Sequence, residues 1–333
     1  MKEFIIGSNE AGQRFDKYLA KLLKEAPKSF FYKMMRKKNI TLNGKKAAGG
    51  EKLVEGDKVK LFLSDETFEK FAGDASTPVA RAEGKLDILY EDEDILFINK
   101  PAGMLSQPDN SRSPSLVEYV TGYLLKGQAI TEESLKTFHP SVCNRLDRNT
   151  SGIVAAGKSL MGLQELSRLF HDRTLHKFYL CLADGVIQKE KYIKGYLHKD
   201  EKCNKVVVQE TKQTDALPIE TKYRPLCNNG KATLLEVELI TGRPHQIRAH
   251  LASIGHPIVG DRKYGDARCN AYYMEKYHLQ HQLLHAYRLV IPDISGSLAY
   301  LSGRTFLAPL PGLFQNILHK EHLEEKKHYE NLA

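Results

Sequence analysis

The sequence predicts an α+β protein: a small basic module of two helices and short strands, then a larger domain built on a mixed, largely antiparallel sheet with flanking helices. Three observations carry this. Segments of strand period outnumber helical ones after residue 84 and do not alternate regularly with them. A polar stretch without apolar periodicity divides the chain. A length of 333 residues suits about two domains. The expected boundaries are 1–64 for the first module, 65–84 for a linker, 85–318 for the second domain and 319–333 for a charged tail.

In the first module, Phe15, Tyr18, Leu19, Leu22 and Leu23 recur at helical spacing between Arg14 and Lys24. Ser29 suits the N-cap of a second helix running through Lys37. Asn43-Gly44 reads as a tight hairpin turn, and Gly56-Asp57 turns the chain before Val59, Leu61 and Leu63 alternate. Residues 64–84 are polar and small and include a proline, as linkers are. Beyond them, LDILYEDEDILFINKP places two apolar segments around an acidic turn and reads as a hairpin. Pro114 to Lys126 and Leu160 to Phe170 read as helices, Tyr179 to Leu182 and Val206 to Val208 as strands. From Ala232 to Leu239, apolar residues alternate with glutamates, the period of a half-buried strand.

Charge is distributed unevenly along the chain. Residues 1–62 carry 15 Lys plus Arg against 7 Asp plus Glu, while the remaining 271 residues hold 34 of each. A concentrated basic segment is the electrostatic footprint of a module that touches a polyanion, with nucleic acid favoured over a membrane surface. Lys33, Arg36, Lys37 and Lys38, clustered at the end of the second helix, are the candidate contacts. The leading residues MKEFIIGSNE hold no long apolar run and no 18 consecutive apolar residues occur anywhere, so neither a secretory signal nor a membrane helix is expected, and the localisation read here is cytoplasmic. Five widely spaced cysteines without a C-x-x-C pair argue for reduced thiols and against a structural zinc site.

The stretch Asn144 to Gly152, NRLDRNTSG, sets a carboxylate (Asp147) between Arg145 and Arg148 ahead of small turn residues, an anion with cations ready to hold phosphate. It resembles the signature of the RluA-type pseudouridine synthases, enzymes that isomerise uridine in RNA, where the usual form begins His-Arg-Leu-Asp. The resemblance continues in order through EDEDILFINKPAGM, KFYLCLADG, LITGRPHQIRAHLASIGHPIVGDRKYG and LLHAYRL, and spans most of residues 85–315. It implies the family's α+β pseudouridine synthase fold. It also implies that Asp147 is the catalytic aspartate, that Tyr179 lies beside the target base, and that Arg248 pairs with the aspartate. Arg145 would contact RNA near the vacated base. Arg148, the other cation beside Asp147, and His245 are further candidate RNA contacts, with capping of the turn as the alternative for His245. Related enzymes often carry an S-four-type RNA-binding domain, named after a ribosomal protein, at the N-terminus, and the basic module looks like one. This combination implies ribosomal RNA of the large subunit as partner; transfer RNA, or a non-catalytic role in ribosome assembly, are the alternatives.

The helix bearing Arg248 is also readable from first principles. Pro244 suits its first position and Gly255 the position just past its end; Ile247, Leu251 and Ile254 line one face, and His245 and Arg248 project from another. Isomerisation breaks a glycosidic bond and rejoins the base through C5, with the aspartate either attacking the nucleoside or removing a sugar proton. Such chemistry needs no cofactor and no metal, and the chain is read as lacking H-E-x-x-H, a Walker-type G-x-x-x-x-G-K-[ST] and G-x-G-x-x-G. A monomer is expected. Asn144 replaces the usual histidine, and Pro244 a commoner threonine.

Overall fold

The computed structural model describes residues 1–7, 10–72, 81–111, 113–200, 205–209, 211 and 216–324. Strands β1 (Lys2–Ile5), β2 (Ile40–Leu42), β3 (Lys45–Lys46) and β4 (Lys58–Leu61) form an antiparallel sheet of order β1-β4-β2-β3 beside helices α1 (Phe15–Leu22) and α2 (Lys28–Arg36). Phe15, Leu19, Phe31, Met35, Ile40, Val59 and Leu61 are buried together there. Asn43 and Gly44 both hold positive φ, as a tight hairpin turn of the primed type requires. Helix α2 begins at Lys28 with Pro27 as its cap, so Ser29 sits inside the first turn. Pro27 keeps Ala26 out of the helical region and its own φ is preset, which fixes the start two residues early.

The expected linker is in part a helix, α3 (Asp65–Ala72). Its half-polar composition hid it; Phe68 and Phe71 lean on Phe4 and Phe30, with ring centroids 6.1 and 4.5 Å apart. Residues 73–80 lie outside the described residues.

The second sheet is built from β5 (Ile88–Glu91), β6 (Ile95–Lys100), β7 (Ser141–Val142), β8 (Ser151–Gly157), β9 (His176–Asp184), β10 (Lys191–Asp200), β11 (Lys205–Gln209), β12 (Leu217–Asn228), β13 (Ala232–Leu239), β14 (Leu284–Val290) and β15 (Thr305–Leu307). Their order is β11-β10-β12-β13-β9-β14-β8-β6-β5, with β7 on β8 and β15 on β14. The β14–β8 pair is parallel and the other pairs are antiparallel. Helices α4 (Leu116–Lys126), α5 (Leu160–His171), α6 (Gln246–Ser253), α7 (Ala267–Tyr277) and α8 (Gly312–Lys320) flank it. Glu118 accepts from the Ser115 N–H and Ser159 from the Gly162 N–H, so α4 and α5 start where a side chain replaces the missing helical partner.

Alternate residues of the central strands enter different cores. Val154 and Ala156 of β8, Leu96 and Ile98 of β6 and Tyr179 and Cys181 of β9 share one layer with Ile247 and Leu251 of α6. Ile153, Ala155, Ile95 and Phe97 pack into another with Leu166 and Leu169 of α5. Both faces are therefore covered, which corrects the expectation of a half-buried strand at Ala232–Leu239. Glu236 in that strand is buried and accepts from Arg288 at 3.0 Å, Arg224 at 3.2 Å and the Tyr287 hydroxyl. The ordered domain also runs past residue 318, since Leu323 is fully buried and Glu321 accepts from Tyr272, Lys276 and Tyr277. The remaining tail, 325–333, lies outside the described residues. Thr137 donates to Glu10 at 2.6 Å, joining the larger domain to the first module.

Candidate active site

Asp147 lies in the loop between β7 and β8, and several side chains from elsewhere hold that loop. Ser106 donates to the Leu146 carbonyl at 2.8 Å and accepts from the Leu146 N–H at 3.0 Å. Lys100, fully buried at the end of β6, directs its Nζ to the carbonyls of Pro101, Met104 and Arg148 at 3.0, 2.8 and 3.1 Å. Three N–H groups thus meet three acceptors. Burial pushes the Lys100 pKa down to about 7, against the pull of the Asp147 charge. Where the loop enters β8, Gly152 adopts φ +113°, and a Cβ there would sit 2.2 Å from the Ala286 carbonyl oxygen. Only glycine lets the loop run this close to β14.

Asn144 turns away from the aspartate. Its amide donates to the Ile153 carbonyl at 3.2 Å and accepts from the Ala155 N–H at 2.8 Å, so it splices the loop onto β8. Its role here is to hold backbone, and it does not need a charge to do so.

Helix α6 supplies the partner of Asp147. His245 is its N-cap, in the left-handed region at φ 53°, so Pro244 precedes the cap instead of opening the helix. The cause is Gln246. Its buried Oε1 accepts from the Thr241 hydroxyl at 2.8 Å and the Arg243 N–H at 3.1 Å, while its Nε2 donates to the Glu220 carbonyl at 3.0 Å. The loop is thereby pinned, and the chain turns into the helix only at Gln246. Ile247 and Leu251 are buried, Ile254 packs beside them, and Gly255 follows the end at φ +83°, as expected.

Arg248 donates from Nη1 to Asp147 Oδ2 at 2.7 Å, and from Nε and Nη2 to Asp261 at 2.7 and 2.9 Å. One guanidinium thus bridges two carboxylates. Asp261 is fully buried; burial alone would raise its pKa, but Arg248 and the N–H groups of Lys263 and Tyr264 outweigh it and hold the carboxyl below its ordinary range. His245 Nε2 stands 4.0 Å from Asp147 Oδ2, and its Nδ1 is 3.0 Å from the Tyr264 hydroxyl. Burial lowers the His245 pKa, with the Asp147 charge opposing. Tyr179, buried at 5 % exposure on β9, has its hydroxyl pKa raised by burial and then by Asp147, so it stays a neutral phenol.

These groups line an open cleft of about 410 Å³ that includes Arg145, Asp147, Tyr179, His245 and Arg248. The structure thus brings five of the residues singled out from the sequence into one place. It does not bring Arg148 there: its guanidinium donates to the Gly103 carbonyl and Ser113 hydroxyl at 3.1 Å each, and the cation beside Asp147 is Arg248. Lys33, Arg36, Lys37 and Lys38 are exposed at the end of α2 and are not part of the cleft lining. Missed altogether were Lys100, Arg243, Gln246, Asp261 and Tyr264. Arg243 lines the cleft, and its Nε is buried without an acceptor. The signals were a lysine closing an apolar strand, and polar residues inside a helix face and the G-D-R-K-Y-G turn. One reading is corrected: the Walker-type pattern taken as absent is present, since Gly152 to Ser159 spells G-x-x-x-x-G-K-S. In the structure it is not a phosphate loop, because its first six residues lie in β8 and Lys158 pairs with Glu91 at 2.6 Å. Among the described residues no cluster of three or more His, Cys, Asp or Glu could hold a metal.

Known proteins resemble this chain in sequence and in fold. The family model of RNA pseudouridylate synthases matches residues 94–253. A ribosomal large subunit pseudouridine synthase C of Vibrio cholerae is 34% identical over 284 residues, 84% of this chain and 85% of that protein. An uncharacterized RNA pseudouridine synthase of Mycoplasma genitalium is 30% identical, covering 89% and 90% of the two chains. Among solved structures, human RNA pseudouridylate synthase domain containing 4 superposes with a TM-score of 0.56 at 22% identity, over 71% of this chain and 92% of that one, and so shares the fold.

Proposed function

Since the chain belongs to the RNA pseudouridylate synthase family, and is therefore an isomerase of uridine in RNA, we propose that its substrate is large-subunit ribosomal RNA and that Asp147 is the carboxylate acting on the target nucleoside. The observation that carries the site assignment is the Arg248 bridge, which fixes Asp147 Oδ2 at 2.7 Å in a cleft shared with Tyr179. The ribosomal substrate is supported by relatives named for the large subunit.

A base stacked in folded RNA is out of reach, so the uridine has to be extruded into the cleft. Tyr179 offers the extruded uracil an aromatic surface and a neutral hydroxyl. Cleavage of C1′–N1 and closure of C1′–C5 conserve all atoms and electrons, so no cofactor takes part. The arginines differ in their partners. Arg248 and Arg148 are committed within the protein, whereas no ion pair engages Arg145 or Arg243 among the described residues. These two are assigned to the RNA backbone, where planar guanidinium suits phosphate. Residues 1–64 are assigned as an S-four-type RNA-binding module, with Lys33, Arg36, Lys37 and Lys38 on its exposed helix end. The enzyme is read as a cytoplasmic monomer.

Mapping pseudouridines in ribosomal and transfer RNA tests this, in cells with the protein, without it, and with Asp147→Asn in its place. At least one large-subunit position should lose pseudouridine in both altered strains. Loss confined to transfer RNA would overturn the substrate, and full modification by Asp147→Asn would overturn the carboxylate.

A further inference from the structure

The strongest unassigned feature is the chain of polar contacts behind His245. Tyr264, on the turn after Asp261, touches three elements at once. The Val206 N–H of β11 donates to its hydroxyl at 2.9 Å, its hydroxyl is 3.0 Å from His245 Nδ1, and its ring lies 5.3 Å from the Arg248 guanidinium. A backbone N–H can only donate, so one lone pair of the phenol oxygen accepts from Val206, and the phenol proton is free to go to His245 Nδ1, the other polar atom within reach. Nδ1 is then the bare nitrogen, and the imidazole hydrogen sits on Nε2. Nε2 looks into the cleft beside Asp147 Oδ2, at 4.0 Å, too far for a hydrogen bond to the carboxylate. It is left with a proton to offer and no acceptor among the described residues.

We propose that Tyr264 locks His245 in the neutral tautomer protonated on Nε2, making His245 a donor to a uracil carbonyl oxygen of the target nucleoside. The inference rests on the reading of the cleft as the nucleoside site. When C1′–N1 breaks, its electron pair leaves with the uracil, and negative charge spreads onto the carbonyl oxygens. A fixed N–H aimed there gains strength as that charge develops and transfers no proton. Neutrality matters as much as direction. An imidazolium would pair with Asp147 Oδ2 and tie up the carboxylate. The groups facing His245 are Asp147 on its loop, Arg248 on α6, and Asp261, Lys263 and Tyr264 on the following turn; Asp147 and Asp261 favour protonation, whereas Arg248, Lys263 and burial oppose it. Donation from Tyr264 adds to that opposition, because a protonated Nδ1 could no longer accept.

Two measurements test the proposal. The first is ¹⁵N NMR of the imidazole in the RNA-free full chain, which distinguishes bare from protonated ring nitrogens and needs no activity. Nδ1 should be bare at neutral pH, and a protonated Nδ1 with bare Nε2 would overturn the proposal. The second is single-turnover rate against pH for Tyr264→Phe and His245→Gln. Tyr264→Phe should lose about tenfold in rate, the value of one hydrogen bond gained in the transition state, and its acid limb should move toward higher pH. His245→Gln keeps a donor near the Nε2 position but cannot be charged, so it should retain more rate than His245→Ala and lose the His245 limb. A purely structural Tyr264 would lower the rate without moving the profile, and superimposable profiles would overturn the idea. Absence of isomerisation by the unaltered protein on any RNA would instead strike the reading of the cleft.

Discussion

Replacing Asp261 by asparagine separates the two carboxylates that share Arg248. The Asp261 side chain is fully buried and takes two of the three hydrogen bonds of the guanidinium, at 2.7 and 2.9 Å, while also accepting from the Lys263 and Tyr264 N–H groups at 2.8 and 3.1 Å. An amide of the same size turns one of its two oxygens into a donor. Whichever way it is oriented, N–H meets N–H, and Arg248 keeps one anion where it had two. Breaking a buried pair from one side costs about 3–5 kcal/mol. With a urea slope of about 3 kcal/mol/M for a domain of this size, the unfolding midpoint should fall by about 1–1.7 M. Asp147 is the internal control. Its side chain is 25% exposed, so Asp147→Asn should shift the midpoint by far less while abolishing isomerisation, read as tritium released from C5-labelled uridine in target RNA. Asp261→Asn should lose both stability and rate, the rate because Arg248 is no longer held against Asp147. A midpoint within experimental error of the parent, or normal turnover, would refute the division of labour between the two aspartates.

Burial and charge placement give two further expectations. His285 is fully buried between Ser151 and the Ala308 carbonyl, and burial lowers its pKa to about 4 from 6.5. Below pH 6.5 the unfolded chain takes up a proton that the native one refuses, so stability is complete above that pH and falls between 6.5 and 4, by about 3 kcal/mol for this group; urea titrations across pH should show a shallower fall for His285→Gln than for the parent. A chain beginning just before Ala82 should keep the Asp147–Arg248 pair but bind RNA less tightly and with a shallower salt dependence, by about 0.7–0.9 in slope for each phosphate that the shortened chain no longer neutralises; equal slopes would show that the basic module does not anchor RNA.

Legibility differed between the motif and its support. Asp147, Tyr179, Arg248, Arg145 and His245 were readable because each sits in a short block whose pattern is local, and the hairpin at Ile88–Lys100 and helices α4 and α5 because their periods are strong. Lys100, Gln246, Asp261 and Tyr264 hold those residues through contacts that cross the chain, as when Lys100 meets the carbonyl of Arg148. Such partnerships leave no period in the sequence. Strands β10 and β12 were passed over because exposed residues such as Tyr192 and Leu217 interrupt the alternation, and α3 because its phenylalanines find partners only on another element. Pro244 misled for a similar reason: the local preference for the first helical position was overruled by the side chain of Gln246.

The hydrogen bond between Asp147 and Arg248 spans 101 residues of chain. Closing a loop of that length costs about 4 kcal/mol of chain entropy, more than an ion pair a quarter open to solvent returns. The pair is therefore stable only after the strands of the intervening segment, β9 and β13 among them, have assembled. During synthesis the order is fixed. The basic module, whose hydrophobic core is drawn from the first 72 residues, is complete while the carboxylate still has no cation opposite it. If the basic module anchors RNA as proposed, a nascent or partly unfolded chain holds RNA without altering it, and isomerase activity becomes a readout of finished folding in the larger domain.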